Sequence, residues 1–228
     1  RTPTAPTLAT AGQVGSVWGT AWQSSANRLF VSGFVKRHVG LGPQGLGGIY
    51  VINNPQGTPN VANFVDLDSP QFGLNLGTLP DNSTRGLTGT PTNFSTDAAA
   101  FSAVGKQGIG DIDLTEDEQF LWAVDLNNRA LLRMNVANGA TPTTVTSYLL
   151  SSFSGLPACN AGTGVLRPWG LKFYNGRGYL GAVCTAETSR NRADLRGYVL
   201  SFDPNAPTSV KVELTVPMTY LKGQGEAN

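Results

Sequence analysis

IGDIDLTEDEQFLWAVDL (109–126) decides the reading of this chain. It runs as a short alternating strand, a polar turn and a second, more apolar strand. Two other stretches repeat it: VWGTAWQSSANRLFVSGF (17–34) and RPWGLKFYNGRGYLGAVC (167–184). Gly19, Asp111 and Gly170 fall in equivalent positions. Ala21, Asp113 and Lys172 lie two residues further on and face the same way, because strand side chains alternate. A third strand follows in each unit (GIYVIN from Gly48, ALLRMNV from Ala130, GYVLSFD from Gly197), then a proline-bearing turn, then a fourth (VANFVDL, TVTSYLL, VKVELTV). Self-similarity of this kind outranks local propensity in setting a fold.

Four short antiparallel strands per unit predict an all-β chain built as a β-propeller, because radially arranged blades cover each other's faces. The blades are expected at 17–67, 109–150 and 167–217, within a propeller region spanning 14–228. The stretch 68–108, rich in Asn, Thr, Pro and Gly, reads as a long excursion between blades. A closed propeller needs at least about four blades, so three predict part of a larger ring. The chain ends in TVPMTYLKGQGEAN without an evident closing strand, which leaves closure to a longer polypeptide or to another chain. A β-sandwich is the alternative. Residues 1–13 read as a Pro/Thr-rich linker or as an extended arm that adds a strand to a neighbouring domain.

Composition limits the function. Of 228 residues, 40% are hydrophobic, enough for a core, and 14% are charged, against about a quarter usually. Twenty-eight Gly and 14 Pro break the chain into short segments. A net charge of +1 offers no field for nucleic acid. No apolar run approaches the ~18 residues of a membrane span, so no membrane insertion is expected. No signal peptide is apparent, and residue 1 reads as a mature N-terminus or a boundary within a longer protein.

Low charge and two cysteines, Cys159 and Cys184, suit an extracellular protein with one disulfide; two free thiols in a cytosolic chain are the alternative. In the blade scheme Cys184 ends the second strand of the third blade and Cys159 lies in the connection entering it, so both emerge on one end.

That end also carries the long loops 36–47 and 185–196, with Lys36, Arg37, His38, Arg190, Arg192 and Arg196 as candidate interaction residues. Their basic character would suit an acidic surface glycan or the acidic end, Glu116 to Glu118, of another copy. Head-to-tail stacking of that kind need not close and can make a fibre.

FVKRHVGLGPQGLGGIYVIN, VGKQGIGDIDLTEDEQFLWAVDLNNRAL and especially RPWGLKFYNGRGYLGAVCTAETSRNRADLRGYVLSFDP together resemble propeller-like ectodomains of large secreted bacterial surface proteins, in which such modules precede SdrD-B-like or Cna-B-like adhesin repeats. The resemblance runs from about Val14 to Pro204. It implies a cell-surface or extracellular location, no enzymatic activity and no catalytic residues to carry over.

The residues themselves give no catalytic set. His38 is the chain's single histidine and has no nucleophile motif beside it, so a histidine-based triad or zinc site is not expected. Gly40 to Gly48 lacks the Gly-Lys-Ser/Thr ending of a phosphate loop. Asp111 and Asp113 alternate on one strand, but the spacing is not that of an EF-hand. One aspartate is expected to bond a blade turn and Glu116 to Glu118 to be solvated, so no cofactor is expected, with calcium the lesser possibility. Trp18, Trp22, Trp122 and Trp169 are expected in the core, although on a surface they could stack on sugars in a lectin-like or enzymatic propeller. The sequons at Asn82 and Asn93 and the TPTNFST segment carry little weight, because such matches are frequent in a chain this rich in Asn, Ser and Thr.

Overall fold

The computed structural model describes residues 6–87 and 95–220. Twelve strands form three four-stranded antiparallel sheets, each in simple sequential order. The first sheet holds β1 (Val17–Gln23), β2 (Arg28–Gly33), β3 (Gly48–Asn53) and β4 (Asn60–Asp66). The second holds β5 (Ile109–Leu114), β6 (Phe120–Asp125), β7 (Ala130–Asn135) and β8 (Thr146–Leu149). The third holds β9 (Leu166–Tyr174), β10 (Arg177–Cys184), β11 (Arg196–Asp203) and β12 (Ala206–Pro217). Among the described residues each strand pairs only within its own sheet. Three sheets exceed the two layers of a sandwich, and closure into a ring is not shown.

The sheets stack in chain order, their first strands lying side by side as β1, β5 and β9. Alternation along each strand sorts apolar side chains to two faces. Phe30, Val51 and Phe64 of the first sheet share a buried cluster with Ile112, Leu121, Ala123, Leu132 and Met134 of the second. Trp122, Val124 and Leu131 on the other face of the second sheet share another with Leu171, Phe173, Leu180, Leu200 and Phe202 of the third. Trp122 is fully buried, with Phe173 and Phe202 ring centroids 5.6 and 5.8 Å away.

Register makes the repeat explicit. Ala21 pairs with Phe30, Asp113 with Trp122 and Lys172 with Tyr179. Phe30, Trp122 and Tyr179 are therefore equivalent, each on the face its sheet presents to the next one in chain order, here called the leading face. Asn175 (φ 52°) and Gly176 (φ 72°) supply the tight β9–β10 turn, the Asn-Gly pair tolerating left-handed backbone at both positions.

The described part of the N-terminal stretch, residues 6–14, packs as neither a linker nor an added strand. Ala11–Val14 form a short helix begun by a Thr10/Gln13 capping box. Leu8, Ala9 and Val14 pack on Val31, Tyr50 and Ile52, covering the outer face of the first sheet. The excursion 68–108 carries a helix at Ala98–Ala103, whose Ala100 and Ala103 enter the cluster between the first two sheets. Trp18 and Trp22 correct the expectation of a wholly buried tryptophan set: they are 54% and 41% exposed. Trp22 pairs with Leu29 on the outer face of the first sheet, and Trp18 lies edge-on to Trp169 at 5.6 Å.

Cys159 and Cys184 are joined by a disulfide, with Cα atoms 5.5 Å apart and 25 residues between them in sequence. It ties the end of β10 to the connection that leads into β9. Closing a loop of this length stabilises by about 3 kcal/mol in the chain-entropy picture. Replacing both cysteines by Ala is expected to lower unfolding free energy by about that amount, read as a shifted denaturant midpoint with an intact β-sheet circular-dichroism spectrum.

Candidate functional site

The end of the molecule bearing the β2–β3 and β10–β11 loops holds the six residues singled out from sequence, and the structure separates them into two groups. Lys36, Arg37 and His38 are bound into the excursion. Arg85 and Asp97 form an ion pair at 2.7 Å with both side chains fully buried. Arg85 also donates to the carbonyls of Lys36 and Val39, and the His38 N–H donates to Asp97. The Arg85 guanidinium bonded to Asp97 holds its carboxyl below the usual range against the cost of burial. Arg37 donates to the Thr96 carbonyl and lies over the Phe101 ring. This loop is anchored by a buried charge pair that sequence alone does not reveal, since Arg85 and Asp97 look like any other loop charges. Removing one partner of such a pair strands the other in a dry site.

The second group lies on the disulfide-pinned loop. Arg196 turns to the carbonyls of Ala193 and Leu195. Arg190 and Arg192, by contrast, line a cavity of about 620 Å³ together with Glu187, Leu195, Met218 and Tyr220. Glu187 is engaged by Lys106 at 2.6 Å and Arg167 at 3.1 Å, and these cations hold its carboxyl low. Met218 and Tyr220 carried no motif, and only the fold brings them to this loop.

The acidic turn at the opposite end is not the solvated patch expected. Glu116 accepts the N–H groups of Asn175 and Gly176, and these bonds lower its pKa. Glu118 accepts from the backbone N–H groups of Ser24 and Ser25 and from the Ser24 hydroxyl. Despite desolvation, which acts upward, these bonds bring Glu118 down to about 2. One turn thus holds both neighbouring sheets. Asp111 and Asp113 serve the same end rather than a turn of their own sheet. Asp111 accepts from Leu171 N–H, and Asp113 accepts from Phe173 N–H and Lys172. Burial raises the pKa of Asp111. Among the described residues no group of three His, Cys, Asp or Glu side chains could hold a metal ion, and no helix is long and apolar enough to cross a membrane.

The Asn82 amide nitrogen donates to the Leu41 carbonyl at 2.8 Å, so the atom a glycan would use is already bonded. Asn93 and most of the TPTNFST segment lie outside the described residues.

No family model matches this chain. Colossin-D of Dictyostelium discoideum is 24% identical over 222 residues, covering 95% of this chain and 21% of that protein. Colossin-A of the same organism is 23% identical over 214 residues, covering 92% of this chain and 2% of that protein. The chain therefore spans about a fifth or less of the relatives it matches. Both relatives are from Dictyostelium, with no link to the bacterial surface modules expected from the sequence. Among solved structures, Sqt1 of Saccharomyces cerevisiae aligns over 90% of this chain and 36% of its own length at 10% identity, with a TM-score of 0.38.

The Glu118 clamp has a pH signature. Its folded pKa of about 2 lies below the ordinary 4.5, so its stabilising contribution is complete above the unfolded value and is lost as pH falls from about 4.5 toward 2. E118Q is expected to lower the melting temperature at neutral pH and to flatten its decline across that window, measured by thermal unfolding at a series of pH values. An unchanged slope would remove Glu118 as the cause.

Proposed function

We propose that this protein is a non-catalytic structural or adhesive module of the cell exterior, that its three sheets are successive blades of a propeller, and that it works by joining other sheets of its kind. The observation that carries this reading is the contrast between its two outermost sheet faces. Leading faces of the first and second sheets are each covered by the next sheet. The outer face of the first is covered by Leu8, Ala9 and Val14.

The leading face of the third sheet has no such cover among the described residues. Tyr179 occupies the place held by the buried Phe30 and Trp122, and pairs with Ser201. Val199 pairs with Leu214, and Gly197 is the register partner of both Val183 and Val216. Leu214 and Val216 are 52% and 42% exposed. Exposed apolar side chains grouped on one sheet face in this way favour association, beside a polar network of Arg177, Ser201 and Glu213.

Other features support the reading. The disulfide fits an oxidising, extracellular setting. The relatives are several to many times longer than this chain, as suits a module within a large protein.

Self-association through opposite charges at the two ends loses its acidic half, because Glu116 and Glu118 are bonded within the molecule. The third sheet's leading face takes its place. In the isolated chain the available partner is the same face of a second copy, an isologous contact that closes as a dimer.

Sedimentation velocity over rising protein concentration tests this. Concentration-dependent dimers are expected for the native chain and should be lost in L214K and V216K, whose substituted side chains are already exposed and whose melting temperatures should stay near native. F101S, which alters an exposed side chain elsewhere, should still dimerise. A native chain that remains monomeric throughout, or dimers unaffected by L214K, would overturn the docking role of this face.

A further inference from the structure

The cavity beside the disulfide is lined by two exposed arginines, Arg190 and Arg192, that meet no carboxylate among the described residues. Its floor and walls are fixed by local bonds. The disulfide at Cys184 anchors the start of the loop. Thr188 and Ser189 N–H groups donate to the Thr163 carbonyl. The Ser189 hydroxyl and the Asn160 amide both donate to Asp194. The Asn191 side chain accepts from Ala193 N–H, starting the 3-10 turn Arg192–Asp194. The loop is thereby ordered before any ligand arrives, which removes part of the entropic cost of binding.

Its charge is equally defined. The two carboxylates on the loop are spoken for: Glu187 by Lys106 and Arg167, Asp194 by Asn160 and Ser189. Arg190 and Arg192 are exposed, and among the described residues neither meets a carboxylate. Arg192 makes one long bond, 3.5 Å, to the Tyr220 carbonyl. A cavity with two such guanidiniums at its rim has a net positive potential. Planar guanidinium groups match carboxylate and sulfate oxygens in pairs, with better geometry than lysine.

We infer that this cavity binds an acidic saccharide, one whose rings carry carboxylate or sulfate groups. The volume, about 620 Å³, falls within the range of small-ligand sites and suits a short run of sugar rings. The anionic groups would pair with Arg190 and Arg192. The apolar faces of the rings would lie on Tyr220, which is 60% exposed, and on Leu195 and Met218. Ala186, Leu195, Met218 and Tyr220 supply the apolar part of the lining and the arginines the charged part, a mixture that suits an acidic ring with one apolar face. Met218 lies beside Val216 of the docking face, next to Gly197, whereas Arg190 and Arg192 stand on the β10–β11 loop, so the arginine variants test this site apart from association.

Titration calorimetry of the full chain with a uronic-acid tetrasaccharide, a sulfated tetrasaccharide and a neutral tetrasaccharide of the same length tests the inference. At least one acidic saccharide is expected to bind about tenfold or more tighter than the neutral one, with affinity falling as salt rises. Arg190→Ala combined with Arg192→Ala should remove that preference. Tyr220→Ala should weaken binding while leaving its salt dependence in place. Arg196→Ala, whose guanidinium is bonded to backbone carbonyls, should change nothing. Absence of acidic-saccharide binding, equal binding of the neutral sugar, an unaffected double variant, or tighter binding of a poly-glutamate peptide would each overturn the assignment.

Discussion

The molecule is held together by carboxylates that reach from one sheet to the backbone of the next. Asp111 and Asp113 take N–H groups of β9, Glu116 takes two in the β9–β10 turn, and Glu118 takes two in the β1–β2 turn. A sheet's own ladder leaves the N–H groups of an edge strand or a turn without partners, and such groups are costly to bury unpaired. Strand β5 and the turn that follows supply acceptors on both sides. The second sheet is therefore the keystone: it fixes the distance and angle at which apolar faces meet, and the clusters around Phe30 and Trp122 form within that spacing.

This arrangement separates the roles of the two ends. At the acidic end, charge is consumed in holding sheets together. At the other end, longer connections leave room for the buried Arg85–Asp97 pair, the disulfide and a cavity lined by Arg190 and Arg192. Loops on a rigid scaffold can diverge without disturbing the stack. In a stack of repeated sheets each sheet covers a face of its predecessor, as the second and third do here. The N-terminal residues cover one terminal face, and the exposed Leu214 and Val216 mark the other.

The strand repeat was legible because period-two alternation, turn residues and the 17–34, 109–126 and 167–184 correspondence recur in order. Twelve strands follow that order, although β12 already begins at Ala206, so the Ala206-Pro207 pair expected to form a turn lies within the strand. The disulfide followed from the same scheme, because the two cysteines lie on connections that emerge together. Less legible were the roles of charges. Glu116 and Glu118 looked solvated since they sit in a polar turn, yet they bond residues about 60 and 94 positions away. Trp18 and Trp22 carry the apolar character of core residues, but lie toward the centre of the stack and its outer face, where exposure is set by what stands opposite.

The sequence by itself determined the element type, the number of strands per unit and the residues that face each side, because these depend on local periodicity and turn chemistry. The tertiary structure alone decided which carboxylates and cations find partners. That outcome depends on the stacking of sheets whose contacting residues are distant in the chain. Of the six loop residues picked out by charge, Lys36, Arg37 and His38 are tied down by the excursion and Arg196 by backbone carbonyls. Among the described residues Arg190 and Arg192 meet no carboxylate, because Glu187 and Asp194 are already bonded elsewhere.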